Sequence, residues 1–196
     1  MEHHISKSTI KPPDSTYHIT THDPDTGLST VHTSRGTELT FFDDNRMAFD
    51  VGYTISTFPP SLNDDTDVAK HTTLMSKGKL GLVNPHGTVC RVVDFAPGYE
   101  CVMHRTQSVD YIISVSGELE LVLDSGDRRL MKGGDIAVQR GTMHSWKNPS
   151  HNQWARIVAV LQYCEPVVVG GKRLKEDLGA GIEGIPLSEE SKHFST

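Results

Sequence analysis

The sequence predicts an all-β protein, a sandwich or barrel, on three observations. From Gly87 onward the chain divides into short segments rich in β-branched residues: TVCRVVDF, VDYIISVS, ELELVLD, DIAVQ and QWARIVAVLQY. Turn signals separate them at short spacing, at Pro97-Gly98, Gly117, DSGD and Arg140-Gly141. Helical periodicity is confined to one short stretch. Many short strands with turns between them are the signature of a sandwich or barrel.

The elements follow in chain order. Residues 1–16 are polar and carry Pro12-Pro13, so they read as a flexible or loosely docked tail. YHITTHD and STVHTSR flank DPDTG and read as two strands joined by a turn. RMAFDVGYTIST reads as a further strand pair or one bent strand, closed by Pro59-Pro60. Asp64 or Asp65 can open a helix through Val68, Leu74 and Met75, and Gly78 stops it. The barrel strands occupy residues 86–168, with residues 17–85 as an extension packing on them. In ELELVLD, Leu119, Leu121 and Leu123 alternate with the glutamates. Residues 169–196 are Gly-rich and charged, with a short helical turn expected at KRLKEDL before a frayed tail.

Composition narrows the function classes. The chain has 196 residues and a net charge of −6, an ordinary balance for a globular domain, and this acidity argues against a nucleic-acid binder. No apolar run approaches the length of a membrane span, and the first residues lack the apolar core of a secretion signal. Three cysteines with no CxxC pair fit a reduced, cytosolic protein.

Strand geometry then gathers the candidate site. Side chains alternate along a strand, so His104 shares a face with Thr106, Asp110 with Ile112 and Ser114, and His144 with Trp146. If these strands are neighbours in a barrel, His104, Asp110 and His144 converge inside it. Two imidazoles and a carboxylate are the ligand set of a facial-triad metal centre. They are equally a proton-transfer set, with one histidine as base, the other as acid, and Asp110 fixing tautomer and charge. Thr106, Ile112, Ser114 and Trp146 become the substrate-binding wall. Arg91 lies mid-strand, where it either meets a ligand carboxylate or phenolate or pairs with Asp94 or Glu100. Alternation turns Tyr111 away from Asp110, and Cys101 away from His104.

The spacing resembles that of the cupin superfamily. Its first motif, G-x5-H-x-H-x3–4-E-x6-G, is matched in spacing by Gly98, His104, Thr106, Asp110 and Gly117. Its second, G-x5-P-x-G-x2-H-x3-N, is matched by Gly133, Gln139, Gly141, His144 and Asn148. Three residues depart from the motifs: Thr106 replaces a histidine, Asp110 a glutamate and Gln139 a proline. The stretch from about residue 17 to 186 is similar to single-domain fungal cupins that accompany polyketide and related secondary-metabolite pathways. The resemblance implies a cupin-type β-barrel or jelly roll, a homodimer and a small aromatic or polyketide-like substrate. It also implies a divalent metal (iron, zinc, manganese or nickel) on His104, Asp110 and His144 with oxidoreductase chemistry. A metal-free isomerase, dehydratase, cyclase or decarboxylase using the same residues stays open beside it. So does a non-catalytic ligand binder, because Thr106 and Asp110 are what decay of a metal site would leave.

Overall fold

The structure, a computed structural model, describes residues 11–181 and 184–188. Its centre is a six-stranded sheet facing a three-stranded one. The strands run β1 (Thr16–His22), β2 (Ser29–Gly36), β3 (Thr40–Phe42), β4 (Met47–Ile55), β5 (Thr88–Phe95), β6 (Ser108–Ser116) and β7 (Leu119–Leu123). They continue with β8 (Arg128–Met131), β9 (Ile136–Arg140), β10 (His144–Lys147), β11 (Ala155–Tyr163), β12 (Val168–Val169) and β13 (Lys172–Arg173). The large sheet is ordered β3-β4-β5-β11-β6-β9 and the small one β10-β7-β8, with antiparallel pairing throughout. Inward residues of both sheets, including Phe95, Leu119, Met131, Trp146 and Ile157, form the core between them. Burying each large side chain contributes roughly 1.5–3 kcal/mol. The jelly-roll architecture expected from the sequence is the one observed.

Local chemistry explains the turns. Only Gly117 and Glu118 separate β6 from β7, and Gly117 holds φ +73° at the first of these two positions. The chain passes there from the large sheet to the small one, and a positive φ at this tight crossing favours glycine. A Cβ there would also lie 2.8 Å from the carbonyl oxygen of Trp154. The helix α1 (Thr66–Ser76) ends as expected, with Gly78 in the left-handed region at φ +61°. It packs on β4, where Tyr53 donates to Asp67 (2.6 Å).

Three regions sharpen or correct the sequence reading. RMAFDVGYTIST is one bent strand, the second of the two readings open for it, and together with β3 it pairs into the large sheet. KRLKEDL forms no helix; its first residues are β13, paired with β12 around Gly170 and Gly171, both at positive φ. Of the two readings of the N-terminal tail, the docked one holds at its end, because Arg156 Nη1 donates to the carbonyl of Pro13 and to Ser15 Oγ. Residues 1–10 and the frayed end expected beyond residue 188 lie outside the described residues.

The β4 bulge has a purpose in the packing. Register shifts between Val51 and Tyr53, which leaves Gly52 unpaired. The Tyr17 ring of β1 lies over that glycine, 2.1 Å from where a Cβ would sit. Arg35 of β2 then grips Asp50 at 2.7 Å and stacks on Tyr17. The β1–β2 hairpin is thus docked through a space that only glycine leaves open. Replacing Gly52 by alanine is expected to undock the hairpin while the barrel stays folded. Limited proteolysis should then cut faster near residues 23–28, with about 1–2 kcal/mol lost in urea unfolding. An unchanged cleavage rate would refute this packing role.

Candidate active site

The two histidines are held by the same device used twice. The backbones of His104 and His144 exchange hydrogen bonds, N to O, at 2.8 and 2.9 Å. A hydrogen-bonded antiparallel pair sends both side chains to one side, and the rings lie 4.3 Å apart between centroids. Each Nδ1 sits beside the carbonyl two residues earlier, Val102 for His104 (2.8 Å) and Thr142 for His144 (2.9 Å). A carbonyl only accepts, so both Nδ1 atoms carry the proton. In the neutral rings each Nε2 is therefore the basic nitrogen. Burial lowers the pKa of both, and the neighbouring His104 lowers His144 further, to about 3.

Both rings line an inner cavity of about 80 Å³ whose wall is mostly apolar. Asp110 enters from β6. Ser108 Oγ lies 2.5 Å from its Oδ1, and Thr106 Oγ1 lies 3.4 Å from its Oδ2 and 2.8 Å from Ser108 Oγ. Burial pushes the Asp110 carboxyl up to about 6, against the opposing pull of those hydroxyls and of Arg91. Arg91 enters from β5 opposite Ala159 of β11, a small residue that leaves it room. Its Nη2 donates to the carbonyls of Gly81 (3.2 Å) and Leu82 (2.6 Å), and its guanidinium stacks on Phe49. Complete burial lowers Arg91 only to about 10, so it stays charged at neutral pH.

Thr106, Ile112, Trp146 and Arg91 line the same cavity. Trp146 meets the His144 ring edge-on at 6.0 Å. Ser114 does not line it: the residue is buried on the inward face of β6 but lies beyond the cavity wall. Arg91 does not form either expected ion pair, because Asp94 is taken by Arg156 and Glu100 by Lys147. Tyr111 is exposed, as its place in the alternation requires. Cys101 departs from alternation and faces the cavity. Segment 100–104 pairs with 144–147 through one extra residue, which resets the phase. Burial pushes its thiol up to about 12, so it is no nucleophile at neutral pH.

Sequence reasoning missed Gln139, which lines the cavity beside Asp110, its cross-strand partner. The signal was its place in the second motif, where an amide stands for a proline. Phe49 and Leu82 were missed because nothing in the 17–85 segment marks them as site residues.

The three-ligand centre expected of His104, Asp110 and His144 is not assembled. Among the described residues no three His, Cys, Asp or Glu side chains lie close enough together to hold a metal ion. Thr106 supplies no imidazole. Asp110 is one methylene shorter than glutamate and is drawn to Ser108, Thr106 and Arg91. The donor set is two imidazoles, short of the three protein ligands a facial triad needs. Untagged protein purified from metal-replete medium is therefore expected to carry iron, zinc, manganese and nickel well below one equivalent in elemental analysis. One equivalent that disappears on replacing His104 by alanine would contradict this.

A scan against protein-family models finds no match. The chain is 41% identical over 174 residues to phomopsin biosynthesis cluster protein D of Diaporthe leptostromiformis, covering 88% of each chain. It is 36% identical over 166 residues to the cupin-domain-containing oxidoreductase fogC of Aspergillus ruber, covering 83% of this chain and 79% of that one. The chain belongs to this family of fungal cupin-domain proteins. A solved cupin-2 domain of Rhodospirillum rubrum aligns over 73% of this cupin and 75% of that chain, with 12% identity and a TM-score of 0.45. No helix among the described residues is long and apolar enough to cross a membrane.

Proposed function

We propose that this cupin is a small-molecule enzyme of secondary metabolism that works by metal-free proton transfer. Relatives named for biosynthesis clusters support the metabolic setting. The observation that carries the chemistry is the pairing, in one mostly apolar cavity, of two imidazoles whose pKa values burial lowers with a carboxyl that burial pushes up to about 6. Groups whose surroundings push their pKa values in opposite directions are suited to acid–base roles. Fixed Nδ1 protons leave each Nε2 ready to accept a proton without rotation of the ring.

The step that fits is removal of a carbon-bound proton next to a carbonyl. His104 Nε2 takes the proton, the C–H electron pair forms a carbon–carbon double bond, and the carbonyl π pair moves to oxygen. Asp110, protonated, donates its proton to that oxygen and gives an enol. In a substrate whose double bond is conjugated with the enol, His104 returns the proton to the far carbon, the enol O–H goes back to Asp110 as the carbonyl re-forms, and the product is an isomer with no oxidant consumed. His104 is assigned the base role, with the neutral His144 ring beside it at 4.3 Å between centroids. The apolar wall excludes water and so strengthens each of these interactions.

The test is exchange of carbon-bound protons into deuterium oxide, followed by proton NMR on a panel of small enolisable carbonyl compounds. Exchange above the buffer rate, lost when His104 becomes glutamine, supports the reading. Exchange at the buffer rate across the panel, with tight binding of the same compounds, would favour a non-catalytic binder.

A further inference from the structure

Two side chains in the cavity carry hydrogen-bonding atoms that the protein leaves unused. Arg91 Nε and both amide atoms of Gln139 are buried with no partner, although each residue is only 3% exposed. Buried polar groups are nearly always paired, because an unpaired one forfeits its hydration for nothing. Ser114 Oγ and Ser116 Oγ are orphaned too, but neither residue lines the cavity. Arg91 and Gln139 both do, and they stand on opposite flanks, on β5 and β9, with β11 and β6 between them. Asp110 does not satisfy them by a hydrogen bond, since its carboxyl oxygens accept from Ser108 and Thr106.

From this geometry we infer that the cavity receives the head group of a short-chain carboxylic acid, held by Arg91 Nε and read by the Gln139 amide. The orphaned set consists of a cationic N–H donor, a neutral N–H₂ donor and one carbonyl acceptor. A carboxylate offers lone pairs to both donors, and Gln139 Oε1 remains for a hydroxyl on the same ligand. The Phe49 face and the Gly81 and Leu82 carbonyls fix the guanidinium plane before any ligand arrives. Cavity volume sets the size. At about 10–15 Å³ per water-sized position, it admits roughly six such positions. A short-chain acid is of a size to fill this space. The inference takes its site from the proton-transfer reading and names the substrate class, but its test needs no turnover.

Crotonate and crotonamide match atom for atom and differ in charge. Both are titrated at neutral pH against the full chain, with Trp146 in the cavity wall as the fluorescence reporter. Crotonate is expected to bind about tenfold or more tightly than the amide, the factor for a hydrogen bond to a charged group. Gln139→Met should reduce crotonate affinity by about tenfold. Its melting temperature should stay the same or rise, since the amide has no protein partner to lose. Equal binding of the two probes, or no crotonate binding, overturns the inference, and this comparison needs no variant to fold. Unchanged crotonate affinity in Gln139→Met overturns it as well. Proton exchange without crotonate preference would sink this inference and leave the proton-transfer reading standing. Crotonate preference without exchange would do the reverse.

Discussion

Replacing His104 by glutamine is expected to slow carbon-proton exchange by about 10²–10⁴-fold, the range for loss of a positioned general base. Glutamine keeps the volume, and its amide has no basicity near neutral pH. The fold should survive, because the backbone bonds between His104 and His144 do not depend on the ring. The pH profile supplies a readout that loss of packing would not mimic. A base works unprotonated, and burial lowers the pKa of both histidines. The acid-side limb therefore lies below the ordinary histidine range. The acid works protonated, and Asp110 titrates at about 6. Its acid form is complete well below that value and is lost as pH rises through it. Exchange per unit of enzyme should thus fall above pH about 6, by about tenfold per pH unit once Asp110 is mostly ionised. Asp110→Asn should be slower and should lose the alkaline limb, since an amide does not deprotonate. An alkaline limb that persists in Asp110→Asn would show that another group is the acid.

Much of this site was legible because the strand period is rigid. Asp110 and Ile112 share a face in any β-strand, and the spacing around His104 and His144 resembles the two cupin motifs, which implies the barrel. Legibility failed where the period breaks. The extra residue in segment 100–104 turned Cys101 inward against the alternation. The inward face of β6 continues past the end of the cavity, so sharing a face with Asp110 did not make Ser114 a wall residue. Arg91 had two nearby carboxylates along the chain, and only three-dimensional pairing showed that both were taken. The metal centre failed on reach, a property of side-chain length and competing partners that spacing does not encode. KRLKEDL suggested a helical turn from composition, and the paired glycines before it made a hairpin instead.

Removing the negative partner of Arg156 is expected to cost more stability than any other single change considered. Asp94 and Arg156 are cross-strand neighbours on β5 and β11, the central pair of the large sheet. Their side chains are 3% exposed and meet through two bonds, Nε to Oδ1 at 2.6 Å and Nη2 to Oδ2 at 2.7 Å. Arg156 spends its third nitrogen on Pro13 and Ser15, so one guanidinium ties the sheet to the residues that lead into β1. Forming such a pair gains little against two leucines of similar bulk, because both ions must be desolvated. Breaking it is different, since Asp94→Asn leaves a buried cation without its counter-charge. The expected loss is about 3–5 kcal/mol in urea unfolding, with faster proteolysis near residue 15. The double variant Asp94→Leu with Arg156→Met removes both charges and should recover most of the barrel's stability. Its N-terminal segment should still be cleaved quickly, because methionine offers Pro13 and Ser15 no donor. If the double variant is no more stable than Asp94→Asn, the uncompensated charge is not the cause of the loss. If cleavage near residue 15 stays at the wild-type rate, Arg156 is not what anchors the chain there, and the docking of the β1–β2 hairpin rests on Gly52, Tyr17 and Arg35 alone.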